Sequence, residues 1–156
     1  MLHIIPTPIG NKEDITLRAL RLLRELDIVF CEDPTTTKKL MKLYDIDYKV
    51  TNKQLYTFNS FLSDKQRERY IELVRTNDVW LVSEAWTPWL SDPAKELVRQ
   101  CRIHKLPFEI LPWANALIPV IVASNRDSSH FTFVGFIKKK KGRQTLLKSL
   151  IHSDYP

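Results

Sequence analysis

Short apolar runs alternate along this chain with longer stretches whose apolar residues recur every three or four positions. Leu2-His3-Ile4-Ile5 is a compact apolar run, stopped by Pro6-Thr7-Pro8-Ile9-Gly10-Asn11, which carries turn chemistry. Asn11 or Asp14 is expected to cap a helix whose apolar positions Ile15, Leu17, Leu20, Leu22, Leu23 and Leu26 recur at helical spacing. Asp27-Ile28-Val29-Phe30-Cys31 then predicts a second, buried strand. Strand, loop, helix and strand in that order form a βαβ unit, which implies parallel strands joined by a right-handed crossover.

The rhythm continues. Residues 35–43 predict a short helix that is basic on one side, and 54–58 a third strand. Residues 65–76 predict a helix with Tyr70, Leu73 and Val74 inward, followed by the strand Val79-Trp80-Leu81-Val82. Ser91 or Asp92 is expected to cap the next helix, with Pro93 in its first turn, running to about His104. Residues 108–111 predict a fifth strand, and 114–124 a helix. The whole is an α/β fold, a mostly parallel sheet flanked by helices. Beyond it, Phe131-Thr132-Phe133-Val134-Gly135-Phe136 alternates like a strand, and a helix is expected over 144–151. One strand and one helix cannot bury a core of their own. The expected organisation is therefore a first α/β domain over 1–124 and the beginning of a truncated second one over 125–156.

Composition narrows the function classes. The 156 residues are 44% hydrophobic, enough for a core, and contain no apolar run of the length that spans a bilayer. The amino terminus lacks the pattern of a signal peptide, and Cys31 and Cys101 fit no metal or redox spacing, so two buried free thiols in a cytoplasmic protein are expected. His3, His104, His130 and His152 show no metal-ligand spacing either, and no metal is expected. The net charge is +6, with a late concentration in Lys138, Lys139, Lys140, Lys141 and Arg143. Such a run is either a solvated loop or a contact for the phosphates of a nucleic acid.

In open parallel sheets, ligands lie beyond the carboxyl ends of the strands. Three connections qualify, at residues 6–11, 83–92 and 112–115. Residues 4–20, from Ile4-Ile5-Pro6-Thr7-Pro8-Ile9-Gly10-Asn11 through Thr16-Leu17-Arg18-Ala19-Leu20, resemble the amino terminus of the tetrapyrrole-methylase-like family. Cys31-Glu32-Asp33 followed by Thr36-Thr37-Lys38-Lys39-Leu40, and Phe133-Val134-Gly135-Phe136 with Lys140-Lys141-Gly142-Arg143, match two further family stretches. Pro34 and Thr35 depart from the second, where the family usually carries Thr and Arg.

The resemblance is narrowest to the members that act on ribosomal RNA. It implies an S-adenosylmethionine (SAM)-dependent methyltransferase, with SAM in the cleft between two α/β domains, usually working as a homodimer. The implied substrate is the 2′-hydroxyl of a cytidine in small-subunit (16S) rRNA. The implied cofactor-binding residues are Pro8, Gly10 and Asn11 in the first loop, Glu84, Trp86, Thr87 and Pro88 in the second, and Leu111, Pro112, Trp113 and Ala114 in the third. Lys138, Lys139, Lys140, Lys141 and Arg143 become RNA-facing. Glu32 and Asp33 are candidates to accept or orient the hydroxyl proton. The competing reading has one of them capping the next helix and the other pairing with a lysine. The same fold also serves tetrapyrrole and corrin-precursor methylases, and an inactive RNA-binding or dimerisation paralogue would share it.

The tryptophans are where the chain departs from the family. The family's Val-Ser-Asp-Ala-Gly-Thr-Pro-Gly is here Val82-Ser83-Glu84-Ala85-Trp86-Thr87-Pro88-Trp89, and its Leu-Pro-Gly is Leu111-Pro112-Trp113. Trp80 stands where the family tends to have a small residue. The chain holds 4 tryptophans and only 3 glycines, against roughly 7% glycine in an average protein. Degeneration would scatter substitutions over many residue types. A gene in which UGA encodes glycine, read with a code in which UGA is tryptophan, places tryptophan at glycine sites specifically. That account is the expected one, and on either account the chain as written should bind SAM poorly.

Overall fold

The computed structural model describes residues 1–59, 62–82, 94–125, 129–135, 137 and 139–151. The chain divides into two compact units, Met1–Asn115 and Ala116–Pro156. The first contains β1 (Leu2–Ile5), α1 (Leu17–Glu25), β2 (Ile28–Cys31), α2 (Pro34–Leu43), β3 (Gln54–Thr57), α3 (Asp64–Thr76), β4 (Val79–Val82), α4 (Ala94–Ile103) and β5 (Phe108–Ile110). The second contains α5 (Leu117–Ala123) and α6 (Arg143–Ile151).

The five strands form one parallel sheet in the order β3-β2-β4-β1-β5. Successive side chains on a strand point to opposite faces, and the packing follows that alternation. Ile5, Val29, Cys31, Trp80 and Val82 pack with Ala19, Leu22 and Leu23 of α1 and Met41 of α2. Leu2, Ile4, Ile28, Phe30, Val79 and Leu81 pack on the other face with Tyr70, Ile71 and Val74 of α3 and Leu97, Val98 and Cys101 of α4. Central strands buried on both faces read as continuous apolar runs, as β1, β2 and β4 do. Within the second layer Phe30 stacks on Tyr70 at 4.8 Å between ring centroids, and the Tyr70 hydroxyl donates to the Thr57 carbonyl at 2.9 Å.

Polar side chains close the seams. The Lys53 ammonium is buried and donates to the Arg24 and Leu26 carbonyls at 3.0 and 2.7 Å, where α1 ends. Cations suit this end of a helix dipole, although burial lowers the Lys53 pKa from its ordinary value, with Asp27 opposing that shift. His3 Nδ1 pairs with Glu109 at 2.7 Å, and Arg18 reaches the same carboxylate at 3.5 Å, tying β1, β5 and α1 together.

Several expectations need correction. Thr16, not Asn11 or Asp14, caps α1: it is extended, and its hydroxyl accepts the Ala19 N–H at 3.1 Å. Asn11 instead spends its side-chain oxygen on the Glu13 N–H at 3.1 Å. Leu17, counted on the apolar stripe, is 85% exposed. In α3 the third fully buried residue is Ile71, while Leu73 is only partly buried. Residues 131–135 form no strand, for among the described residues of the second unit there is no strand to pair with, and ladder hydrogen bonds need a partner. α5 buries no residue. The capping role of Ser91 and Asp92 lies outside the described residues. Both cysteines are buried and free, as expected.

Candidate functional site

The strand order fixes where a ligand can enter. From β1 the chain leaves toward α1, on the face shared with α2. From β4 it proceeds to α4, on the opposite face. β1 and β4 are neighbours with aligned registers from Leu2 opposite Val79 to Ile5 opposite Val82. The helices that follow these two neighbouring strands thus lie on opposite faces of the sheet, the arrangement at which ligands bind beyond the carboxyl ends of parallel strands.

The first loop is held from below. Thr7 is buried, and the Asn11 carbonyl accepts the Asp14 N–H at 3.1 Å. The Tyr44 hydroxyl, just past α2, donates to the Lys12 carbonyl at 2.6 Å, and its burial raises its pKa above the ordinary value. A side chain at Gly10 would meet nothing within 4 Å, so the space above that backbone is open. Pro8 and Gly10 line a cavity of about 360 Å³ with Thr7, Lys12, Thr36, Thr37 and Lys39. That size lies in the range of small-molecule sites, roughly 300–1,000 Å³.

Beyond β2, Glu32 is half-buried and Asp33 is the N-cap of α2. The Asp33 carboxylate accepts the Thr35 N–H at 2.8 Å and the Thr36 hydroxyl at 3.2 Å. The backbone hydrogen bond from Thr35 is the main reason that its pKa is lowered. Both oxygens are thus engaged by the helix start, with Pro34 fitting the first turn behind them. A low-pKa carboxylate already accepting hydrogen bonds is a poor proton acceptor. The geometry gives Asp33 a capping role and leaves Glu32 as the carboxylate at this strand end.

At the third loop the Leu111 N–H donates to the Ile4 carbonyl at 3.1 Å and its side chain is fully buried beside Ile5 and Val82. Pro112 is exposed, Ala114 half-buried, and Trp113 is 39% exposed. Glu84, Trp86, Thr87 and Pro88 lie outside the described residues, as does Lys138. Lys139, Lys140 and Lys141 are exposed in a turn of the second unit, in which the Arg143 N–H donates to the Lys140 carbonyl at 3.1 Å and Gly142 takes φ 86°. Among the described residues no group of acidic, histidine or cysteine side chains is placed to hold a metal.

The sequence matches the Tetrapyrrole (Corrin/Porphyrin) Methylases over residues 1–154. The chain belongs to that family. A relative from Hydrogenobaculum sp. strain Y04AAS1, Ribosomal RNA small subunit methyltransferase I, is 37% identical over 98% of this chain and 65% of its own length. The chain thus spans about half to just under two thirds of the length of such relatives, several of which carry that name at 33–39% identity. Solved tetrapyrrole-methylase folds superpose on it at low identity. Diphthine synthase does so with a TM-score of 0.62 and 15% identity, over 84% of this chain and 51% of its own. Uroporphyrin-III C-methyltransferase from Thermus thermophilus, complexed with S-adenosylhomocysteine, does so with 0.51 and 19%, over 83% and 53%.

Within this tetrapyrrole-methylase domain, sequence reading missed Thr36, Thr37, Lys12 and Lys39 as lining residues. The resemblance quoted the two threonines and Lys39, but only the approach of α2 to the first loop shows that they share a cavity with Gly10.

Proposed function

We propose that this chain is the amino-terminal portion of a SAM-dependent methyltransferase that methylates the 2′-hydroxyl of a cytidine in 16S rRNA of the small ribosomal subunit. The observation that carries the reading is the match, across nearly the whole chain, to relatives named Ribosomal RNA small subunit methyltransferase I. The cavity at Gly10 and the placement of α1 and α4 on opposite faces of the sheet suit it. So does the basic turn at Lys139, Lys140, Lys141 and Arg143, with Lys138, as an RNA contact. Cytoplasmic location, a homodimeric assembly and a second α/β domain begun after residue 124 belong to the same reading. The exposed apolar residues Ile118, Val120, Val122, Phe131 and Phe133 support a second domain that more chain would cover.

The described residues fit SAM at the first loop, where Pro8 and Gly10 offer backbone beside open space and Asn11 holds the turn. Leu111, Pro112 and Ala114 would pack its adenosine, and Glu84, Thr87 and Pro88 complete the proposed set. SAM supplies a methyl group made electrophilic by the sulfonium. The protein's part is to hold the ribose hydroxyl in line and relieve it of its proton. We assign that proton to Glu32 rather than Asp33, whose oxygens already serve α2.

Trp86, Trp89 and Trp113 oppose cofactor binding in the chain as written. Overpacking costs about 1–3 kcal/mol per site, so three such residues would weaken a micromolar ligand by about 3–9 kcal/mol, to roughly 0.2 mM or weaker. A catalytically inactive RNA-binding or dimerisation module is the second reading, favoured by those indoles. Titration calorimetry with SAM, on this chain and on a Trp86→Gly, Trp89→Gly, Trp113→Gly variant, separates the two. Binding only by the variant, with methylation of 30S particles by its full-length form, is the expected result. Micromolar binding by the chain as written would show that the indoles do not obstruct the site. No binding by either would favour the inactive module. Methylation of a tetrapyrrole instead of 30S particles would move the substrate to the corrin-precursor class.

A further inference from the structure

We propose that a groove along α2, in the first unit, binds the sugar-phosphate backbone of single-stranded RNA beside the cofactor cavity. The groove has a volume of about 730 Å³ and is lined by Lys38, Lys39, Lys42 and Lys49, with Ile46 and Tyr48 as its floor. Thr35, Lys38, Lys39 and Lys42 recur three and four residues apart, which places them on one face of the helix. The opposite wall is built by the turn that follows. The Asp45 N–H donates to the Lys42 carbonyl and the Ile46 N–H to the Met41 carbonyl, at 3.2 and 2.9 Å, with Asp45 at φ 55°. This paired closure fixes the chain's exit from the helix and carries Tyr48 and Lys49 back alongside it.

Charge and geometry both favour an anionic strand. Lys38 sits 5.1 Å from the centre of the Tyr48 ring, which holds its ammonium over the groove. The ion pairs of the described residues leave out all four lysines. Two carboxylates also line the groove, Asp45 and Asp47. Asp47 is turned to its own backbone, accepting the Lys49 and Val50 N–H groups at 2.9 and 3.4 Å. The groove keeps a net positive charge. Lys39 lines both this groove and the cavity at Gly10, so a strand lying along α2 leads to the carboxyl edge of the sheet.

The inference rests on the proposed RNA substrate but is tested without the cofactor. The experiment measures fluorescence anisotropy of a labelled single-stranded RNA of about twenty nucleotides against the full chain, from low to moderate salt. A Lys38→Gln, Lys39→Gln, Lys42→Gln, Lys49→Gln variant is compared with its four-arginine counterpart, each checked for an unchanged melting curve. Each phosphate contact on a single strand contributes about 0.7 to the slope of log affinity against log salt. The glutamine variant is expected to lose tenfold or more in affinity and about 3 in slope, and the arginine variant to retain both. Parental affinity and slope in the glutamine variant would overturn the proposal. So would equal competition by poly-glutamate and unlabelled RNA for an acidic peptide bound to the groove, since the site would then suit an acidic protein partner. Loss of the SAM reading gives a different result: RNA held by these lysines, but no SAM binding by the glycine-restored chain.

Discussion

Replacing Trp80 with phenylalanine should change stability little, although Trp80 is fully buried in a central strand. Its indole lies between α1 and the sheet, with Leu22, Leu23 and Val29 in the same cluster. The indole Nε1 is the one buried side-chain nitrogen or oxygen among the described residues that has no hydrogen-bond partner. Leaving such a donor unsatisfied costs about 1–3 kcal/mol. Phenylalanine removes the donor together with two ring carbons, whose lost burial amounts to about 1.6 kcal/mol at 0.8 kcal/mol per carbon. The two effects offset, and Trp80→Phe should stay within about 1 kcal/mol of the parent. Urea unfolding followed by far-ultraviolet circular dichroism reads this as a small midpoint change at constant m-value. A loss above about 3 kcal/mol, the range of a plain large-to-small core substitution, would refute the reasoning. The indole would then have to be well satisfied.

Further expectations concern pH and capping. Burial pushes the Cys101 thiol up to about 11 from an ordinary value near 9. Between those values the unfolded chain gives up a proton that the folded chain keeps, so stability falls as pH rises through the window. Cys101→Ala should flatten that part of a denaturation series between pH 8 and 11, and an unaltered slope would remove the assignment. Asp33→Asn should keep the melting temperature near neutral pH, because asparagine caps a helix as well as aspartate does, whereas Asp33→Ala should lower it. The parent's capping advantage is fully present above the unfolded carboxyl pKa and is lost as pH falls through the lowered folded value. If Asp33→Asn abolished methyl transfer by the glycine-restored protein without changing its melting curve, Asp33 would be the proton acceptor after all.

Much of the first unit is legible in the sequence because its signals are local. Buried parallel strands leave continuous apolar runs, and β1 and β4 coincide with their predictions to the residue. The start of α1 is ambiguous in the sequence because three capping residues, Asn11, Asp14 and Thr16, compete within one short stretch. Only the backbone decides which of them faces an open helix end. The aromatic run at 131–135 carries a strand pattern without forming a strand for the opposite reason. Alternation describes what a strand would bury, but no partner strand is present among the described residues of that unit. The site behaved likewise. Its first loop reads as turn chemistry at a strand end, and the basic side of α2 reads as a charge pattern. The groove beside α2 is not legible in this way, since its far wall returns through a left-handed Asp45 that carries no glycine signature.

The same distinction bears on the tryptophans. Position 80 lies inside β4, where alternation turns its side chain into a helix-covered layer. Such a layer needs volume filled, and an indole can fill it at the cost of one orphaned N–H. Position 113 follows β5 in a loop at the carboxyl edge, where a ligand needs the backbone bare, and there the indole is 39% exposed. Positions 86 and 89 follow β4 in the sequence and lie outside the described residues. Sheet and ligand therefore make opposite demands on the same residue type. The parallel sheet can form around tryptophan, but close approach of a cofactor to backbone cannot tolerate it. For Trp86, Trp89 and Trp113 the glycine reading rests on the family pattern, and on the proposed cofactor site, where bare backbone is needed. The gene should carry UGA at those positions, and UGG codons there would leave a folded protein that had lost its cofactor.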